Sequence, residues 1–104
     1  MNEKRKPHYS LAVVKKAFAN VASLNRTYSS KQGAHALGMS DSDIVAVVQA
    51  LSVADFDKSM TSHADNTVWQ DVYKPMFGNR ALYLKFTLDA EKALLLISFK
   101  EADQ

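Results

Sequence analysis

Two places in this chain gather charge-bearing or polar side chains on expected strands. The first is the stretch from Asp55 to Pro75. It reads as a β-hairpin: two runs rich in Thr, Val, Phe, Trp and Tyr, split by a turn cluster at His63 to Asn66. Lys58 breaks a set that is otherwise apolar at every second position, Phe56 and Met60, and Gln70 breaks the set of Val68 and Val72. A long cation and an amide so placed cost burial free energy unless something uses them. The second place is the last hairpin, where Tyr83, Lys85, Thr87 and Lys100 fall opposite an unbroken apolar face. Ammonium, amide and phenol groups donate hydrogen bonds and suit a polar or anionic ligand. The chain shows no carboxylate or histidine cluster with ligand spacing, so neither a metal nor another cofactor is expected.

The elements that must carry these groups can be read in order. Residues 1–7 look like a frayed basic arm ending at Pro7. Ser10 is placed to cap a helix from about Leu11 to about Asn20, with Leu11, Val14 and Phe18 on its apolar stripe. Ser30 is placed to cap a short helix that ends near Leu37 and stops at Gly38. Ser40 to Asp43 is acidic and hydroxyl-rich, as a helix start should be, and Ile44, Val45, Val47, Val48 and Leu51 then make the main core helix. After Ser52 the period becomes alternating. Strands are expected at about Phe56–Ser62, Thr67–Lys74, Ala81–Leu88 and Ala93–Lys100, with short connections that make neighbours antiparallel. The fold class is therefore α+β, N-terminal helices packed on a C-terminal four-stranded antiparallel meander.

Register decides what meets. If the last loop is Asp89 to Lys92, Leu88 pairs with Ala93, and Leu82, Leu84, Phe86 and Leu88 share one apolar face with Ala93, Leu95, Ile97 and Phe99. Tyr83 then lies across from Ser98 and diagonal to Lys100, within reach of one ligand. The first hairpin leaves two registers open. A four-residue turn, His63 to Asn66, puts Lys58 and Gln70 on opposite faces. A three-residue loop, Ala64 to Asn66, sets Met60 against Gln70 and Lys58 against Val72, all on one face. A shared site requires the odd-length loop or a bulge.

Bulk properties bound the rest. The chain has 104 residues, 47% hydrophobic and 23% charged, which one domain spanning 1–104 accommodates with a single modest core. Its net charge of +2 permits an RNA or acidic protein partner without demanding one. The absence of cysteine removes thiol nucleophiles and disulfide scaffolds and fits a reducing cytoplasm. No apolar run approaches the ~20 residues of a membrane span, and no apolar segment with a cleavage site follows the basic start.

The same residues carry a resemblance. Glu3-Lys4-Arg5, Pro7-His8, Val14-Lys15-Lys16, Asp55-Phe56, Lys58-Ser59-Met60-Thr61, Trp69-Gln70-Asp71-Val72-Tyr73 and Ser98-Phe99-Lys100-Glu101 occur in the order seen in the MqsR (motility quorum-sensing regulator) toxin family. The chain resembles that family over nearly its whole length, weakly between Ala22 and Met39. The resemblance implies a RelE/MqsR-like fold and an mRNA-cleaving toxin of a type II toxin–antitoxin pair. It implies Lys58, Gln70, Tyr83 and Lys100 as catalytic residues, with no metal and a 2′,3′-cyclic phosphate product. It further implies ribosome-independent cleavage of single-stranded mRNA at GC-containing triplets. The implied partner is a cognate antitoxin, MqsA-like, binding zinc and carrying a helix-turn-helix DNA-binding domain. Lys85, His63 and Trp69 are secondary candidates for RNA contact.

Each residue also has a plainer reading. A strand lysine is usually solvated surface, Tyr83 can be a cross-strand packing residue, and Trp69 and Tyr73 can be core. His8 and His63 are exposed by default, and a lone His35 on its helix is exposed or satisfied in the core and not a ligand. The competing function is a non-catalytic RNA- or protein-binding module, favoured by the modest charge and the lack of a histidine or glutamate base.

Overall fold

The computed structural model describes residues 2–102. Three helices, α1 (Leu11–Ala17), α2 (Tyr28–Ala36) and α3 (Asp41–Ala50), cover one face of an antiparallel sheet of six strands. The strands are β1 (Glu3–Lys4), β2 (Phe56–Thr61), β3 (Trp69–Tyr73), β4 (Met76–Phe77), β5 (Arg80–Leu88) and β6 (Leu94–Glu101). The four expected strands are β2, β3, β5 and β6. The two extra ones are two residues each, too short for any periodicity to announce. β1 lies where a frayed arm was expected: Glu3 pairs with Met60 and Lys4 with Ser59, extending the sheet beyond β2.

The helix starts follow their hydroxyl caps, with one displacement. Ser40 and Asp43 form the expected capping box of α3, whose Ile44, Val47 and Val48 are buried. α2 starts earlier than Ser30: Thr27 is the cap, its hydroxyl accepting from the Ser30 N–H, and Ser30 is buried inside the helix. Gly38, at φ +74°, ends α2 as expected. Ser10 precedes α1 without a side-chain cap hydrogen bond, and α1 stops at Ala17, short of Asn20.

One cluster forms the core. Val14, Phe18, Ala34, Met39, Ile44, Val47, Val48 and Leu51 from the helical half meet Tyr73, Leu82, Leu84, Phe86, Leu96 and Phe99 from the sheet. The β6 edge is closed by residues 25–27: the Thr27 N–H donates to the Leu96 carbonyl and the Leu96 N–H to the Asn25 carbonyl. That pairing occupies both the donor and the acceptor that Leu96 would otherwise present at the edge.

The N-terminal arm is tied down by a carboxylate. Asp71 is fully buried and accepts from the His8 N–H (3.1 Å), the Tyr9 N–H (2.9 Å) and the Ser59 hydroxyl (2.6 Å). The arm then lies over Trp69, with the His8 ring stacked on it at 5.4 Å and the Lys4 ammonium 4.2 Å from the indole centroid. Asp71→Asn places an NH2 group among donors and is expected to cost about 2–3 kcal/mol. Because Trp69 is the only tryptophan, its emission should shift to longer wavelength as the arm lifts; an unchanged spectrum and urea midpoint would show that the carboxylate does not hold the arm.

Candidate active site

The outer face of the sheet, away from the helices, is assembled by register. Lys58 pairs with Val72, Val72 with Lys85 and Lys85 with Ser98, making one row across β2, β3, β5 and β6. On one side of that row Tyr83 pairs directly with Lys100; on the other Met60 pairs with Gln70. Val72 is fully buried in this face, under cover that its lysine neighbours' aliphatic stems are placed to provide.

The first hairpin adopts the register of the odd-length loop, Met60 against Gln70 and Lys58 against Val72. Its ladder ends at Thr61 and Trp69, and residues 62–68 form the connection. Asp65 organises that loop, receiving the Thr67 N–H at 2.8 Å. A bulge between Phe56 and Lys58 answers the broken alternation. It lets Phe56 turn to the core, 5.5 Å from the Tyr73 ring, while Lys58, two residues on, faces out. Phe56 and Lys58 therefore never shared a face.

The last hairpin departs from the expected pairing twice. Its loop has one residue more: Leu88 pairs with Leu94, not Ala93. Asp89 fixes this loop by accepting from the Glu91 and Ala93 N–H groups, 2.9 Å each. A bulge at Ile97 then adds a second shift, so Tyr83 faces Lys100 and not Ser98. Leu96 and Phe99 are the buried residues of β6, while Leu95 and Ile97 leave the expected apolar face. The run from Ala93 to Ile97 is apolar throughout, so alternation had no purchase on its register.

Around Tyr83 the cations converge. The ammonium groups of Lys100, Lys85 and Lys74 lie 5.2, 5.7 and 6.0 Å from its ring centroid. Burial, then the Asp57 charge, pushes the Tyr83 phenol above its ordinary value, so at neutral pH it is a donor. Burial, then the ammonium groups of Lys100 and Lys58, pulls Lys85 below the usual lysine range. Two carboxylates rim the face: Glu3 lies 3.6 Å from the Lys58 ammonium, and Asp57 3.6 Å from that of Lys74. Arg5 touches both neighbourhoods, at 3.6 Å from the Glu3 carboxylate and 3.4 Å from the Asp57 carbonyl.

Lys58, Gln70, Tyr83, Lys85 and Lys100 thus share one face. Trp69 does not; it sits on the other side of β3, under the arm. His63 is exposed in the 62–68 loop, beyond the Gln70 end of the face. Sequence reasoning passed over Lys74, Asp57, Glu3 and Arg5. Lys74 was readable, being two residues beyond Val72 on the same strand. The other three depend on the bulge and on β1, which carry no periodic signal.

A helical layer on an antiparallel sheet, its free face lined with amines, a phenol and an amide, defines a class: small α+β domains with a lysine-rich open sheet face. The family model described as motility quorum-sensing regulator, toxin of MqsA, matches residues 6–101, and the chain belongs to that family. It is 41% identical, over 99 residues, to the mRNA interferase toxin MqsR of Escherichia coli (strain K12), covering 95% of this chain and 98% of that protein. No helix among the described residues is long and apolar enough to cross a membrane.

Proposed function

We propose that this protein is the toxin of a type II toxin–antitoxin system, an endoribonuclease that cleaves single-stranded mRNA and so halts translation and growth. The carrying observation is the common face of Lys58, Gln70, Tyr83, Lys85 and Lys100 in a chain so similar to a protein named as an mRNA interferase toxin. In the reaction the ribose 2′-oxygen attacks the adjacent phosphorus and the 5′-oxygen leaves, giving a 2′,3′-cyclic phosphate without a metal. Lys58 and Lys100 neutralise charge building on the phosphoryl oxygens, where a preorganised cation contributes most. Tyr83 donates a hydrogen bond to the same phosphate. Gln70, which cannot be a general base, orients the RNA through donor and acceptor contacts. Short GC-containing motifs are the proposed targets. The proposed partner is an MqsA-like antitoxin, zinc-binding with a helix-turn-helix domain, and the proposed compartment is the cytoplasm.

The test is incubation of purified protein with a defined single-stranded RNA in EDTA, beside Lys58→Ala plus Lys100→Ala. Discrete ends bearing cyclic phosphate with wild type, absent with the double variant, are expected. RNA that binds wild type and stays intact would instead make this a binding module.

A further inference from the structure

The outer face has a centre, and Lys58 and Lys100 do not occupy it. They stand on β2 and β6, three strand spacings apart, about 14 Å between backbones at the usual inter-strand distance. A phosphate touched by both must lie midway, above β3 and β5. The residues there are Val72 and Lys85, paired with each other. Val72 offers a hydrocarbon floor, and two ammonium groups lie nearest: that of Lys74 is held 3.6 Å from the Asp57 carboxylate, whereas that of Lys85 has no carboxylate at ion-pair distance among the described residues. Its strand neighbours leave it no carboxylate: Val72 on one side, Ser98 on the other, and the Tyr83 ring 5.7 Å from its nitrogen.

We propose that Lys85 is the general acid of the reaction, donating its proton to the departing 5′-oxygen. This rests on the nuclease reading above. The step balances: the 2′-oxygen loses its proton to solvent and bonds to phosphorus, the bond from phosphorus to the 5′-oxygen breaks, and that oxygen takes the ammonium proton and leaves as a hydroxyl. The neutral amine is then reprotonated from water. The other groups divide the remaining work. Lys58 and Lys100 hold the phosphate from its two sides, and the Tyr83 phenol, tightened by burial, is a weaker acid than it would be in water. Lys85 runs the other way. Half-burial and two flanking ammonium groups make its proton easier to give.

The experiment compares two RNAs. One is an ordinary single strand containing the linkage that wild type cuts; the other replaces the bridging 5′-oxygen at that linkage by sulfur. A thiolate is a far weaker base than an alkoxide and leaves without a proton. Lys85→Arg keeps the charge but cannot release its proton. Lys85→Arg and Lys85→Ala should cut the oxygen RNA about 100-fold more slowly than wild type, with the Arg variant still binding RNA normally. Both should cut the sulfur RNA within about fivefold of wild type. Equal losses on both RNAs, or an Arg variant as fast as wild type on the oxygen RNA, would overturn the proton-donor role. A measurement on wild type alone guards against a variant that fails to fold. Its rate on the oxygen RNA should fall on the alkaline side with a midpoint below lysine's usual ~10.4, and the sulfur RNA should abolish that limb; a limb common to both RNAs counts against the proposal. Wild type that binds the oxygen RNA and leaves it whole overturns the nuclease reading itself, a result distinct from either of the others.

Discussion

Gly33→Ala should destabilise this protein by about 3 kcal/mol, although alanine is the better helix former. Gly33 lies within α2, where the change to alanine by itself favours the helix by about 1 kcal/mol. The opposing effect is steric. A Cβ at this position would stand 2.0 Å from the Phe99 carbonyl oxygen and 3.2 Å from its carbon. Both are backbone atoms of β6, held on one side by β5 through the Leu84–Phe99 pair and next to the bulge at Ile97. They cannot swing aside as a side-chain tip would, so α2 or β6 must move bodily. Inserting one carbon into a tight core costs about 1–3 kcal/mol even where side chains give way, and here the neighbour is main chain. The steric cost wins. Lys100 follows Phe99 directly, and its Cβ is 3.9 Å from the same point. A displaced β6 therefore also moves the Lys100–Tyr83 pair, and whatever variant still folds should lose activity. Urea denaturation and RNA cleavage on the same preparation check both statements. A variant as stable as wild type would mean that helix and strand do not approach this closely.

Gly33 also shows where sequence reasoning stops. It sits between Ala22 and Met39, where apolar periodicity is thin, and its role depends on a strand more than sixty residues away. The features that could be read were local. The Ser40–Asp43 box starts α3 because a hydroxyl and a carboxylate three residues apart satisfy each other's backbone donors. The faces of Lys58 and Gln70 were narrowed to two registers by alternation, and the odd one is found. The last hairpin was misread where five consecutive apolar residues erase the alternation, and where a side chain, Asp89, sets the loop. Even so, Tyr83 and Lys100 came out on the same face. Two one-residue shifts, in the loop and at the bulge, add to two, which restores the face while replacing the partner. The candidate site was thus legible in its lysines and tyrosine. Its carboxylate rim was not, because Glu3 arrives on a two-residue strand and Asp57 on a bulge.

That rim gives the second large effect, Lys58→Ala, a form unlike a simple deletion. Removing one preorganised donor from a developing charge costs about 100- to 1,000-fold in rate, and Lys58→Ala should lose at least that in kcat/KM. It also leaves the Glu3 carboxylate, now 3.6 Å from the Lys58 ammonium, facing incoming phosphate with Arg5 as its remaining ion-pair partner among the described residues. The pair is partly exposed, with side-chain accessibilities of 33% and 42%, so the coupling is modest, at most about 1 kcal/mol or fivefold. A double-mutant cycle isolates it. Lys58→Ala should cost several-fold less in a Glu3→Gln background than in the wild-type protein, because the stranded anion is gone. Lys100→Ala should cost the same in both backgrounds, since β6 is three strands from β2 and shares no partner with Glu3. Single-turnover cleavage of one RNA by the six proteins is the measurement. A Lys58 penalty that ignores Glu3 would mean the carboxylate already lies clear of the phosphate path. A Lys100 penalty that varies with Glu3 would mean that the arm carrying β1 governs the whole face, acting on Lys100 through RNA placement and not through the ion pair alone.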